Sequence, residues 1–106
     1  METNSFETAL FAAEIGDQAP TIDLHGHTVD LALSRLDSFL HHELLQGTDA
    51  IKIIHGRGGG WLREAVLKYL REQQQAGLVG AFREATDPRQ NGAVTLAALT
   101  RIRSNR

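Results

Sequence analysis

Two short segments hold the residues able to do chemistry. The first is Thr21-Ile22-Asp23-Leu24-His25-Gly26, and the second is Ile53-Ile54-His55-Gly56-Arg57-Gly58-Gly59-Gly60. Each runs from apolar residues into a histidine and a glycine, and a helical pattern follows each. Histidine is the side chain that titrates near neutrality, so His25 and His55 suit general acid–base work. Asp23 suits two roles, orienting a histidine or binding a divalent metal. Gly26, Gly56, Gly58, Gly59 and Gly60 let backbone approach a ligand closely and accept positive φ. A helix beginning near Gly60 offers free N–H groups to a phosphate oxygen. Arg57 adds a fork of donors for the same phosphate, and Arg63 follows inside that helix. The combined chemistry is phosphate binding with proton transfer.

Blander roles compete with each assignment. A glycine-rich loop is often a tight turn, and Asp23 also suits capping of the Gly26–Thr28 turn. His27, His41 and His42 read as solvated. Trp61 reads as exposed, either stacking on a base or covering the sheet edge.

These residues need elements to position them. Phe6, Leu10, Phe11 and Ile15 have helical spacing, predicting a short helix over Ser5–Ala13 that packs on the domain or serves as a docking arm. Pro20 breaks the chain before a first strand, Thr21–Leu24. Thr28 caps a helix to Gln46, with Val29, Ala32, Leu33, Leu36, Phe39, Leu40 and Leu44 as its apolar stripe. Gly47 suits the left-handed residue past its end. Ala50–His55 reads as a second strand and Trp61–Ala76 as a second amphipathic helix stopped by Gly77. Val79–Ala85 and Ala93–Leu99 flank the turn-rich Asp87-Pro88-Arg89-Gln90-Asn91-Gly92, a hairpin signal. The fold class is α/β: a two-layer sandwich, β-α-β-α-β-β, with a mixed four-stranded sheet. Right-handed crossovers put both main helices on one face. The C-terminal ends of neighbouring parallel strands then lie side by side, with Asp23, His25, His55 and Arg57 converging there.

Length and charge bound the rest. A chain of 106 residues is one domain. It divides into an N-terminal arm over 1–20, the sandwich over 21–100 and a basic tail over 101–106. No cysteine is present, which removes disulfides, thiol catalysis and thiolate zinc sites and is compatible with a reducing cytosol. No secretory signal or membrane span is visible, so the expected location is cytoplasmic. The formal net charge of −2 argues against a strongly basic nucleic-acid binder. Its distribution softens that, with Glu2, Glu7, Glu14 and Asp17 early, Arg101, Arg103 and Arg106 late, and Lys52, Arg57 and Arg63 near the two segments.

Ile22-Asp23-Leu24-His25-Gly26 and His55-Gly56-Arg57-Gly58, followed by Leu62-Arg63-Glu64-Ala65-Val66 and closed by Ala93-Val94-Thr95-Leu96, closely resemble the small MutS-related, or Smr, domain. Ile22 stands where leucine is commoner in that family. The resemblance spans Thr21 to Leu99 and looks like a stand-alone form, without mismatch-recognition or ATPase segments. It implies the fold of the C-terminal domain of translation initiation factor three. It also implies endonuclease activity on DNA or RNA, with Asp23 and His25 of one motif and His55, Gly56, Arg57 and Gly58 of the other as functional residues, and it admits a ribosome-associated role. On RNA, one histidine would deprotonate the ribose 2′-OH while the other protonates the leaving oxygen, without metal. On DNA, water must attack, and Mg²⁺ held by Asp23 enters. A non-catalytic module binding nucleic acid or a ribosomal surface, and a binder of a small phosphate or nucleotide, are the alternatives.

Overall fold

A computed structural model describes residues 2–16 and 18–101 of the chain. Asp17, Arg103 and Arg106, used in the charge argument, lie outside the described residues. The elements run α1 (Glu2–Ile15), β1 (Thr21–Asp23), α2 (Val29–Gln46), β2 (Ala50–Ile54), α3 (Trp61–Gln75), β3 (Val79–Glu84) and β4 (Val94–Leu99). The four strands form one sheet in the order β1-β2-β4-β3. β1 and β2 are parallel, with Asp23 opposite Ile54, and β4 is antiparallel to both of its neighbours.

Local chemistry explains the helix that follows the first motif. The Thr28 hydroxyl accepts from Leu31 N–H at 3.2 Å and starts α2. Gly47, at φ 77°, ends it in the left-handed conformation, and Thr48 N–H returns to Glu43 C=O. Leu36, Leu40 and Leu44 of α2 meet Val66, Tyr69 and Leu70 of α3 over Ile22, Ile51 and Ile53 of the sheet. Tyr69 also donates its hydroxyl proton to Asp37 at 2.6 Å, tying the two helices together. Each fully buried leucine in this layer contributes roughly 2 kcal/mol of hydrophobic stabilisation.

The other sheet face is covered too. Leu10 and Ala13 of α1 pack on Ala50, Val94, Leu96 and Ala98. A side chain on Gly80 would collide with the Phe6 ring. Of the two roles open to the N-terminal helix, packing on the domain is the one observed. It adds a third layer and extends beyond Ser5–Ala13. The reason lies at Glu14, whose carboxylate receives Arg83 Nη1 at 2.7 Å, the N–H groups of Thr86 and Asp87 at 2.7 Å each, and the Thr86 hydroxyl at 3.0 Å. Burial alone would raise its pKa; these donors outweigh burial and hold it down at about 2.

The β3–β4 connection is longer than a two-residue hairpin. Asp87 C=O accepts from both Gln90 and Asn91 N–H, forming a helical turn, and Gly92 re-enters the strand at φ 84°. No helix among the described residues is long and apolar enough to cross a membrane.

Candidate active site

Asp23 is the last residue of β1, on an edge strand, and His25 lies just beyond it. His25 donates Nδ1–H to Asp23 Oδ1 at 2.7 Å, and its backbone N–H reaches the same oxygen at 3.1 Å. The His25 side chain is 69% exposed, so its Nε2 faces solvent with the ring orientation fixed from behind. The hydrogen bond from the His25 ring holds the Asp23 carboxyl below the ordinary carboxylate range. Asp23 therefore stays ionised and favours the proton on Nδ1, so that Nε2 is the nitrogen that faces outward from the pair.

The second motif meets the first through its glycine. Leu24 N–H donates to Ile54 C=O at 2.7 Å, continuing the β1–β2 ladder past the strand end. Gly56 then passes so close to His25 that a Cβ on it would lie 3.1 Å from His25 Cβ, at a φ of 82°. Gly59 and Gly60 also have positive φ, and Gly60, the residue just before α3, gives the helix no side-chain cap. The first N–H groups of α3 are thus open to an anion. Gly26, Gly58 and Gly60 have no heavy atom within 4 Å of where a Cβ would stand, so the backbone there is accessible.

His55 does not share this open site. It is 3% exposed. Its Nδ1–H donates to Gly56 C=O at 3.1 Å, and Thr95 Oγ1 donates to its Nε2 at 2.9 Å. Strand alternation explains the burial: His55 follows Ile51 and Ile53 onto the helix-covered face, whereas Asp23 and Thr21 belong to the opposite parity. Burial lowers the pKa of His55; its donation to Gly56 and the nearby Glu84 charge oppose that shift without reversing it. The composite cleft of two histidines expected from the sequence is therefore corrected to a site with His25 alone at the surface. Thr95 is the partner that sequence reasoning missed.

Arg57 and Arg63 are also engaged. Arg57 donates from Nε and Nη2 to Asn91 C=O at 3.1 and 2.9 Å, and from Nη2 to Arg89 C=O at 3.2 Å. It pins the β3–β4 connection to the glycine loop. Arg63 pairs with Glu84 at 3.0 Å. His27 is held as well, accepting from Arg35 at 2.6 Å. Among the described residues, no three His, Asp or Glu side chains gather as metal ligands. Asp23 offers one carboxylate, and one of its oxygens is committed to His25, so the donor set does not fit a protein-held Mg²⁺.

A groove of about 1070 Å³ lies on the α1 face between the end of α1 and the β3–β4 connection, lined by Phe11, Thr21, Lys52 and Arg89 among others. Asp23 and His25 are outside its lining.

The Smr domain matches residues 22–100 of the chain. An endonuclease MutS2 of Symbiobacterium thermophilum is 39% identical over 66 residues, 62% of this chain and 8% of that protein. An endonuclease MutS2 of Streptococcus thermophilus is 36% identical over 78 residues, 74% of this chain and 10% of that protein. The chain thus spans about a tenth of the length of these curated relatives. The Smr domain of Thermus thermophilus MutS2 superposes with a TM-score of 0.71 at 32% identity, over 77% of this chain and 99% of that one. YdaL, a stand-alone small MutS-related protein from Escherichia coli, shares the fold with a TM-score of 0.72 at 23% identity, over 88% and 75% of the two chains. The chain belongs to the Smr domain family.

Proposed function

We propose that the chain cleaves phosphodiester bonds in nucleic acid, with His25 as the acid–base group and RNA as the favoured substrate. The observation that carries this reading is the 2.7 Å Asp23–His25 pair, exposed at a strand end and abutting Gly56 of the glycine loop. Similarity to proteins named endonucleases supports it.

In this scheme the first turn of α3 and the N–H groups of Gly58 and Gly59 hold the scissile phosphate, the Gly60 N–H being given to Gly58 C=O. His25 Nε2 takes the proton of the ribose 2′-OH. The 2′-oxygen attacks phosphorus, the bond to the 5′-oxygen breaks, and a cyclic phosphate and a 5′-hydroxyl result. The proton on His25 then passes to the leaving 5′-oxygen, directly or relayed through a water, which gives the 5′-hydroxyl and restores the free Nε2. Asp23 steadies the imidazolium formed in between, and the α3 N–H groups steady charge on the non-bridging oxygens. His55 acts as a positioning residue: through Gly56 and Thr95 it fixes the loop that holds the phosphate. Arg57 serves the same loop from the β3–β4 side.

A second reading is a non-catalytic nucleic-acid-binding module. The burial of His55 favours it, because the two-histidine scheme loses its second proton donor. Incubation of end-labelled RNA and DNA with wild type and His25→Ala, with and without EDTA, tests both. Cutting of RNA by wild type alone, with 5′-hydroxyl ends in EDTA, is the expected result. Binding without cutting of either polymer rejects the endonuclease in favour of the module.

A further inference from the structure

Trp61 is the first residue of α3 and the only tryptophan of the chain. It is 73% exposed, while Leu62, Val66 and Leu70 perform the packing of that helix. Its ring is nevertheless not loose. A Cβ built on Gly59 would lie 3.0, 3.1 and 3.2 Å from ring atoms Cζ2, Cη2 and Cε2. Three adjacent ring atoms at nearly equal distance mean that Gly59 sits over the ring face; a point beyond the ring edge would be much nearer to one atom than to its neighbours. The Cε2–Cζ2–Cη2 side of one indole face is therefore backed by Gly59, while the residue as a whole stays 73% exposed. A residue covering the sheet edge would be backed by a strand instead.

The position is as informative as the exposure. Gly59, which backs the ring, is three residues from Gly56, so its Cα lies at most about 11 Å from that of the glycine that touches His25. The open N–H groups of α3 begin at Trp61 itself, just past the loop. A large aromatic face beside a phosphate cradle matches the architecture of single-strand binding, where bases stack on aromatic rings and backbone phosphates follow polar groups. Bases inside a duplex have both faces covered by neighbours and cannot use such a platform without unstacking.

We propose that Trp61 is a base-stacking platform, and that the site consequently takes an unpaired stretch of nucleic acid in preference to duplex. This rests on the reading that nucleic acid occupies the glycine loop. It selects the form of the substrate, and it is separable from catalysis because Trp61 moves no proton.

The sole tryptophan makes the test direct. The full chain carrying His25→Ala is titrated with a single-stranded oligonucleotide and with the matching duplex, following indole emission. Saturable quenching by the single strand, and much weaker quenching by the duplex, is expected. Labelled-oligonucleotide anisotropy should show Trp61→Ala weakening single-strand binding by roughly ten-fold or more, with duplex binding within about two-fold of wild type. Trp61→Phe should retain most of the affinity, and Trp61→Leu, which keeps apolar bulk without a π face, should not. Unchanged emission at saturating single strand, or single-strand binding by Trp61→Leu equal to wild type, overturns the platform. A wild-type chain that cuts without quenching rejects the platform and keeps the endonuclease. Quenching in a chain that never cuts rejects the endonuclease and keeps the platform.

Discussion

Gly56 lies against His25, so closely that a methyl group on Gly56 would stand 3.1 Å from His25 Cβ. The two motifs are therefore one mechanical unit: the loop that would hold a phosphate also forms a wall behind the exposed histidine. Gly56→Ala adds that methyl and also forces a side chain into φ 82°. The left-handed conformation costs about 1–2 kcal/mol for a residue with a Cβ. We expect a loss of that order in urea unfolding, together with a loss of cleavage exceeding what the residual folded fraction accounts for. Cleavage at wild-type rate would show that His25 does not depend on this contact.

His55 and Thr95 make a stability prediction with a sign. Folded His55 releases its proton more readily than unfolded His55, because burial disfavours the charge. Between the two pKa values the unfolded chain binds more protons, so stability rises with pH across that window. The contribution of His55 is complete above about pH 6.5, falls as pH drops below it, and levels off once the folded ring protonates. His55→Gln should flatten this limb in urea midpoints measured between pH 7 and 5, each read to about 0.1 M. Thr95→Val, which leaves Nε2 without its donor, should cost about 1–3 kcal/mol at neutral pH. An unchanged pH limb in His55→Gln would assign the slope to other groups.

Glu14 behaves in the opposite sense. Its folded pKa is depressed to about 2, so its stabilisation is present above the unfolded carboxyl value near 4.3 and is lost as pH falls toward 2. Glu14→Gln should destabilise the chain by about 3 kcal/mol at neutral pH, since charge-assisted bonds from Arg83 and two backbone N–H groups go with it. The gap between mutant and wild type should narrow below pH 4 and close only as pH reaches about 2, where the folded carboxyl protonates. A constant gap at all pH values would mean that shape at position 14, not charge, holds α1 to the β3–β4 connection.

Much of this was legible in the residues themselves. Thr28 and Gly47 marked both ends of α2 because their capping chemistry is local, and the stripe through Leu36, Leu40 and Leu44 set its buried face. The pair of histidine–glycine motifs identified the strand ends. The insertion of β4 between β2 and β3 was not legible, because strand order depends on long-range pairing. The burial of His55 was accessible from alternation: it shares the parity of Ile51 and Ile53, and Asp23 does not share that of Ile22. The role of Arg57 was hidden, since its acceptors are carbonyls more than thirty positions away.

That engagement of Arg57 alters what its removal does. An arginine on a phosphate lowers the salt slope of binding by about one unit when replaced by alanine. Here the guanidinium faces the carbonyls of Arg89 and Asn91. Arg57→Ala should therefore loosen the β3–β4 connection, seen as faster proteolysis within residues 85–93, while the slope of log Kd against log salt stays within about half a unit of wild type. A slope lowered by a full unit would put Arg57 on the phosphate and require it to leave the turn when nucleic acid binds.

The last prediction separates one acid–base histidine from two. With His55 buried and hydrogen-bonded at both ring nitrogens, His25 is the histidine of the two motifs left to exchange a proton in the proposed reaction. A base and an acid acting together produce a bell-shaped rate profile; a single base produces a rising limb and a plateau. We expect the second form for RNA cleavage under single-turnover conditions, persisting in EDTA. Asp23→Asn should lower the plateau by about a hundred-fold or more, because an amide at that position no longer fixes Nδ1–H and frees the wrong tautomer. Binding should be nearly unchanged, as Asp23 faces His25 and carries no phosphate contact in the scheme. Replacing the ribose at the cut with 2′-deoxyribose removes the nucleophile and should stop cutting at that bond alone. A bell-shaped profile would return a second titrating group to the reaction. Mg²⁺-dependent nicking of DNA with 5′-phosphate ends would make water the nucleophile and Asp23 a metal ligand, against the arrangement in which one of its oxygens already belongs to His25.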